Sequence, residues 1–107
     1  PVAPGIVLIR APGHTPGHQI VYVHVREGVE YLLIGDIGWS LDNVTELKLR
    51  PEATINRINE DPEALLAQLR WLNGILQEGI LVVPSHDDEL LNELVSEGLL
   101  GDSLTLR

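Results

Sequence analysis

Apolar residues in this chain fall into short unbroken runs near the start and into helically spaced sets further on. Ile6 to Arg10, opening with Ile6-Val7-Leu8-Ile9, reads as a buried strand. Gln19 to Val25 alternates like a half-buried strand, and Tyr31 to Ile34 is another short buried run. Arg26-Glu27-Gly28 is a tight connection between the last two, which predicts an antiparallel hairpin. From Asp36 to Arg50 periodicity is lost among Gly38, Ser40, Asp42 and Asn43, so this stretch is expected to be an ordered loop anchored by Trp39. A short helix is expected between Pro51 and Asn59. Asp61-Pro62-Glu63 is a strong helix start: an aspartate can accept backbone N–H bonds, proline suits the first helical position and glutamate favours the dipole. Leu65, Leu66, Leu69, Leu72, Ile75 and Leu76 continue at helical spacing to Gln77, and Gly79 stops the helix. Ile80 to Val83 then reads as a buried strand, Pro84 to His86 as its outgoing loop, and Asp87 to Glu97 as a second amphipathic helix carrying Leu90, Leu91, Leu94 and Val95.

The pattern therefore predicts one α/β domain over residues 1–107, a small sheet with helices. Ile6-Val7-Leu8-Ile9 and Ile80-Leu81-Val82-Val83 lack polar alternation, as expected of strands covered on both faces. The two amphipathic helices are expected to cover one face, leaving the other for a partner. Burial stabilises by roughly 25 cal/mol per Å², so a second copy related by a two-fold axis is the expected occupant, giving a homodimer.

Composition narrows the function. The 107 residues carry a formal net charge of −9, with only 7 Lys and Arg and no basic run, which excludes a phosphate-backbone binder. The same acidity disfavours anionic membranes, and no apolar stretch reaches a membrane-spanning length. With no basic, apolar leader at the start of the sequence, cytoplasmic residence is the default expectation. There are no cysteines, so His, Asp and Glu are the available metal ligands.

The candidate chemistry lies just past the strand ends. His14 and His18 occupy the Gly/Pro-punctuated loop Ala11-Pro12-Gly13-His14-Thr15-Pro16-Gly17-His18 after the first strand. Asp36 follows the third strand in Gly35-Asp36, and His86 follows the fourth in Ser85-His86-Asp87. Loops at strand ends can aim side chains into one cleft while the sheet fixes their positions. Imidazole and carboxylate suit zinc, and a carboxylate has two oxygens with which to bridge two cations. Taken singly, Gly-Asp is more simply a turn and Ser-His-Asp a helix cap with Asp87 in the first turn. Two imidazoles in one Gly/Pro loop are harder to assign to turn chemistry. Trp39 is either a core plug for the long loop or a wall of the cleft. His24, alternating with Tyr22 and Ile20, reads as a packed or surface histidine, and Trp71 on the long helix as packing.

In their order and placement these segments resemble the later metal-binding motifs of the metallo-β-lactamase superfamily of hydrolases, and the resemblance runs from the first strand to the helix after His86. It implies the C-terminal half of an αββα sandwich, with one small mixed sheet and amphipathic helices on one face. It also implies that His14 ligates one zinc ion, Asp36 bridges, and His86 ligates a second, while His18 supports the loop; beside these, Asp87 is expected to support the ligands and Trp39 to line the cleft. The opening HxHxDH motif of that family is absent from the sequence. Each zinc would then have two protein ligands here, below the three a catalytic site keeps. The expectation is a C-terminal portion of a metal-dependent hydrolase acting on a thioester, lactone or other ester or amide, inactive alone and completed by an N-terminal half. The alternative is a non-catalytic oligomeric binding or assembly module that retains the fold.

Overall fold

The structure, a computed structural model, describes residues 4–100. Strands β1 (Ile6–Arg10), β2 (Gln19–Arg26) and β3 (Val29–Gly35) form an antiparallel meander, and β4 (Leu81–Pro84) joins the free edge of β3 in parallel. The parallel step needs a crossover, which α1 (Leu41–Thr45), α2 (Glu52–Ile58) and α3 (Pro62–Gln77) supply; α4 (Asp88–Ser96) follows β4. The expected α/β architecture with a small mixed sheet is thus found.

Local chemistry sets the element ends. The Asp61 side chain accepts the Ala64 N–H at 3.1 Å ahead of Pro62, and α3 ends before Gly79, whose φ of +87° suits glycine. The third strand is longer than its apolar run, because Val29 and Glu30 pair with Arg26 and His24 across the hairpin. The stretch expected to be loop contains α1, and Trp39 does not anchor it, being 42% exposed. Asn43 does that work: its Oδ1 accepts the Trp39 and Ser40 N–H groups, each at 3.1 Å, and its Nδ2 donates to the Lys48 carbonyl at 2.8 Å.

One detail of the expected layout changes. The two long helices lie on opposite faces of the sheet rather than on one. Leu65, Leu69 and Leu72 of α3 pack with Ile20, Leu32, Ile34 and Val82. Leu94 of α4, with Leu90 and Leu91, packs instead with Tyr31 and Val83, which point to the other side because strand side chains alternate. Among the described residues, α4 covers that second face around Tyr31 and Val83. Leu8, Val21, Leu33 and Val83 form one row across all four strands. Val83 is buried under α4, while Leu33 and Leu8 are 38% and 43% exposed. Trp71 is not a core residue either: at 44% exposure it borders an open trough of about 430 Å³ with Ile9, Ala11, Ile20 and Ala67.

Candidate metal centre

Backbone contacts gather three loops at one end of the sheet. The loop after β1 closes through Ala11 N–H to the His18 carbonyl at 2.9 Å and is fastened to the start of α3 by Asp61 N–H to the Gly13 carbonyl at 2.8 Å. Gln68 Nε2 donates to the Pro12 carbonyl at 3.1 Å from the same helix. The loops after β3 and β4 are laced together by Ser85 N–H to the Gly35 carbonyl at 3.3 Å and His86 N–H to the Trp39 carbonyl at 3.0 Å.

These contacts bring His14, Asp36 and His86 together. His14 Nε2 lies 3.5 Å from Asp36 Oδ2, and His86 Nε2 lies 3.6 Å from Asp36 Oδ1. One carboxylate thus faces two imidazoles, one through each oxygen. Ser85 Oγ donates to Asp36 Oδ1 at 2.5 Å. That bond, more than the partial burial opposing it, holds the Asp36 carboxyl below the usual carboxylate range, with His14, His86 and Arg50 adding to the effect.

His18 sits beneath the site without touching the Asp36 carboxylate. Its ring stands edge-on to His14 at 5.8 Å and against Gly35, and burial, followed by the nearby His14, lowers its pKa below 6.5. Asp87 acts as a double backbone cap: Oδ1 accepts from Leu90 N–H at 3.0 Å and Oδ2 from Leu41 N–H at 2.8 Å, joining the starts of α4 and α1. Trp39 stands edge-on to His86 at 6.4 Å. His24 is remote from this group and faces Glu30 on the neighbouring strand at 3.5 Å.

Two residues that sequence reasoning missed complete the arrangement. Glu60 Oε2 lies 2.7 Å from His14 Nδ1 and 2.6 Å from Arg50 Nη1. Arg50 also donates through Nη2 to the Asp36 carbonyl and lies over the Trp39 ring at 4.5 Å. Both side chains are buried. The only trace in the sequence is a pair of opposite charges flanking α2, each beside a helix boundary and each read more simply as a solvated end residue.

The donor chemistry fits a divalent cation on either side of Asp36, with His14 Nε2 on one and His86 Nε2 on the other. The number of donors is short of a closed site. Among the described residues no group of three or more His, Cys, Asp or Glu side chains is placed to hold one metal ion.

No protein-family model matches the chain. It is 28% identical over 89 residues to the N-acyl homoserine lactonase AiiA of Bacillus thuringiensis subsp. kurstaki, covering 82% of this chain and 33% of that enzyme. A Bacillus sp. N-acyl homoserine lactonase is 29% identical over 89 residues, with the same coverage. Among solved structures, an N-acyl homoserine lactone hydrolase with its product N-hexanoyl-L-homoserine bound at the catalytic metal centre superposes with a TM-score of 0.66 and 25% identity, over 87% of this chain and 35% of that one. A quorum-quenching N-acyl homoserine lactone hydrolase gives a TM-score of 0.69 at 24% identity, over 87% and 36%. The chain therefore carries part of the metallo-β-lactamase fold. In sequence it is homologous to the N-acyl homoserine lactonases, and it spans about a third of the length of the relatives it matches.

Proposed function

We propose that this chain is the His14–Asp36–His86 portion of a metal-dependent hydrolase that opens lactones or related small esters, and that it needs a complementary part of the fold to turn over substrate. The observation that carries this reading is the division of Asp36 between two imidazoles, Oδ2 facing His14 at 3.5 Å and Oδ1 facing His86 at 3.6 Å. With one oxygen towards each imidazole, Asp36 could offer a donor to a cation held at His14 and to another held at His86. Zinc is the expected metal for this nitrogen and oxygen donor set. When bound, such cations supply Lewis-acid activation of water and of a substrate carbonyl.

The chain's own residues prepare that site. Ser85 and the neighbouring imidazoles favour the anionic form of Asp36, so it is available as a ligand at neutral pH. Arg50 ties the Asp36 backbone to Glu60, and Trp39 and His86 form one wall. The homology to lactonases favours a lactone over the other ester classes. With two protein donors for each cation, Asp36 and one histidine, the chain alone is expected to hold zinc weakly and to lack lactonase activity. The half-exposed row of Leu8, Val21 and Leu33 is the proposed docking face for the complementary part, with a second copy of the chain as the competing occupant.

The test is to mix the purified chain with a segment that carries an HxHxDH motif and to follow zinc content and lactone hydrolysis. Both should rise on mixing and fall with His14→Ala or Asp36→Ala. Tight, stoichiometric zinc and hydrolysis by the chain alone would overturn the incomplete-site reading.

A further inference from the structure

Glu60 is a carboxylate whose side chain has no exposed surface, and such burial is costly unless its partners compensate. One oxygen, Oε2, receives both Arg50 Nη1 at 2.6 Å and His14 Nδ1 at 2.7 Å. The other oxygen, Oε1, and Arg50 Nε are buried with no hydrogen-bond partner among the described residues. We infer that Glu60 is a positioning residue that fixes the proton of His14 on Nδ1 and turns its bare Nε2 towards Asp36 and the cation position. The inference rests on the metal-centre reading for its purpose, although the tautomer can be measured without metal.

The chemistry follows from who can donate. An oxygen paired with a guanidinium accepts only, so the imidazole nitrogen beside it must carry hydrogen, and in the neutral ring the single remaining lone pair then sits on Nε2. Arg50 extends the arrangement, since its other Nη atom holds the carbonyl of Asp36. One guanidinium therefore sets both the carboxylate that orients His14 and the backbone of the residue facing it.

The test is long-range 1H–15N correlation on the full 107-residue chain labelled at histidine nitrogens, metal-free, with His14 assigned by its loss in His14→Ala. The expected result is a protonated Nδ1 and a bare Nε2 for His14. A neutral His14 ring whose single proton sits on Nε2 in the unsubstituted chain would overturn the inference outright. Glu60→Gln, whose amide can donate as well as accept, should shift His14 to a mixed or Nε2–H state while core amide signals stay in place. An unchanged tautomer in that folded variant would also overturn it. If Glu60→Gln fails to fold, the tautomer of the unsubstituted chain decides. Zinc titration followed by the same signals should require about tenfold more metal in Glu60→Gln. A correct tautomer with no zinc response at His14 or His86 would support the role of Glu60 and sink the metal-centre reading instead.

Discussion

His18 Nε2 lies 2.9 Å from the point where a Cβ would stand on Gly35. Gly35 also has a φ of +56°, a region that residues with side chains seldom enter. Gly35→Ala therefore meets two penalties at once, displacing the imidazole that underlies the site and straining the last residue of β3. We expect a loss of about 1–3 kcal/mol, read by chemical denaturation, with weaker zinc uptake in the mixed, completed protein. The double variant Gly35→Ala with His18→Ala should recover the part due to the clash. Full stability in the single variant would show that His18 moves aside freely.

Acid should weaken the fold through His18. Its pKa is lowered mainly by burial, so the folded state disfavours the charged ring that the unfolded chain accepts near 6.5. The unfolded state then binds more protons, and stability is full above that value and falls as pH drops from it towards the depressed folded value. Thermal midpoints measured from about pH 7.5 down to about 5.5 should decline, and His18→Gln should flatten the decline. An equal slope in the variant would assign the acid sensitivity to other groups.

Asp87→Ala removes the side-chain oxygens that accept from two backbone N–H groups, those of Leu90 and Leu41. A lost helix cap costs about 1 kcal/mol, and the freed start of α1 should add to it. Asp87→Asn keeps a side-chain oxygen for the Leu90 contact and should retain most of the stability. Urea midpoints of the three proteins decide; equal values for Asp87→Ala and the unsubstituted chain would remove Asp87 from the structural frame.

Leu8→Glu with Leu33→Lys should lower association and dye binding. Sedimentation of the unsubstituted chain at micromolar concentration is expected to show dimers or larger species, with ANS fluorescence reporting any uncovered face. The complementary part should displace the self-association. A monomer silent to ANS would show that the Leu8–Val21–Leu33 row needs no partner.

The elements most readable from sequence were those where one local signal dominates. Asp61-Pro62 and the leucine spacing that follows place α3, and Ile6-Val7-Leu8-Ile9 places β1. His14, Asp36 and His86 were readable as candidates because each follows a strand, and the structure brings them to one place. Which face a helix covers depends on the turn between β4 and α4, which hydropathy does not encode, and both helices were therefore expected on one side. Glu60 and Arg50 were invisible for a related reason. Burial of a charged pair is decided by long-range packing, and nothing local distinguishes such a pair from ordinary surface charges. Trp71 shows the converse error, a large aromatic expected to be packed but left half open.

The Ser85-to-Gly35 and His86-to-Trp39 contacts are main-chain bonds that tie the loop after β4 to the last residue of β3 and to the loop that follows it. The separation of Asp36 from His86 is consequently a property of the backbone and not of the side chains mounted there. Replacing either side chain changes which atoms face the cleft while the mount stays where it is, so this end of the sheet can exchange one ligand set for another at little cost to the fold.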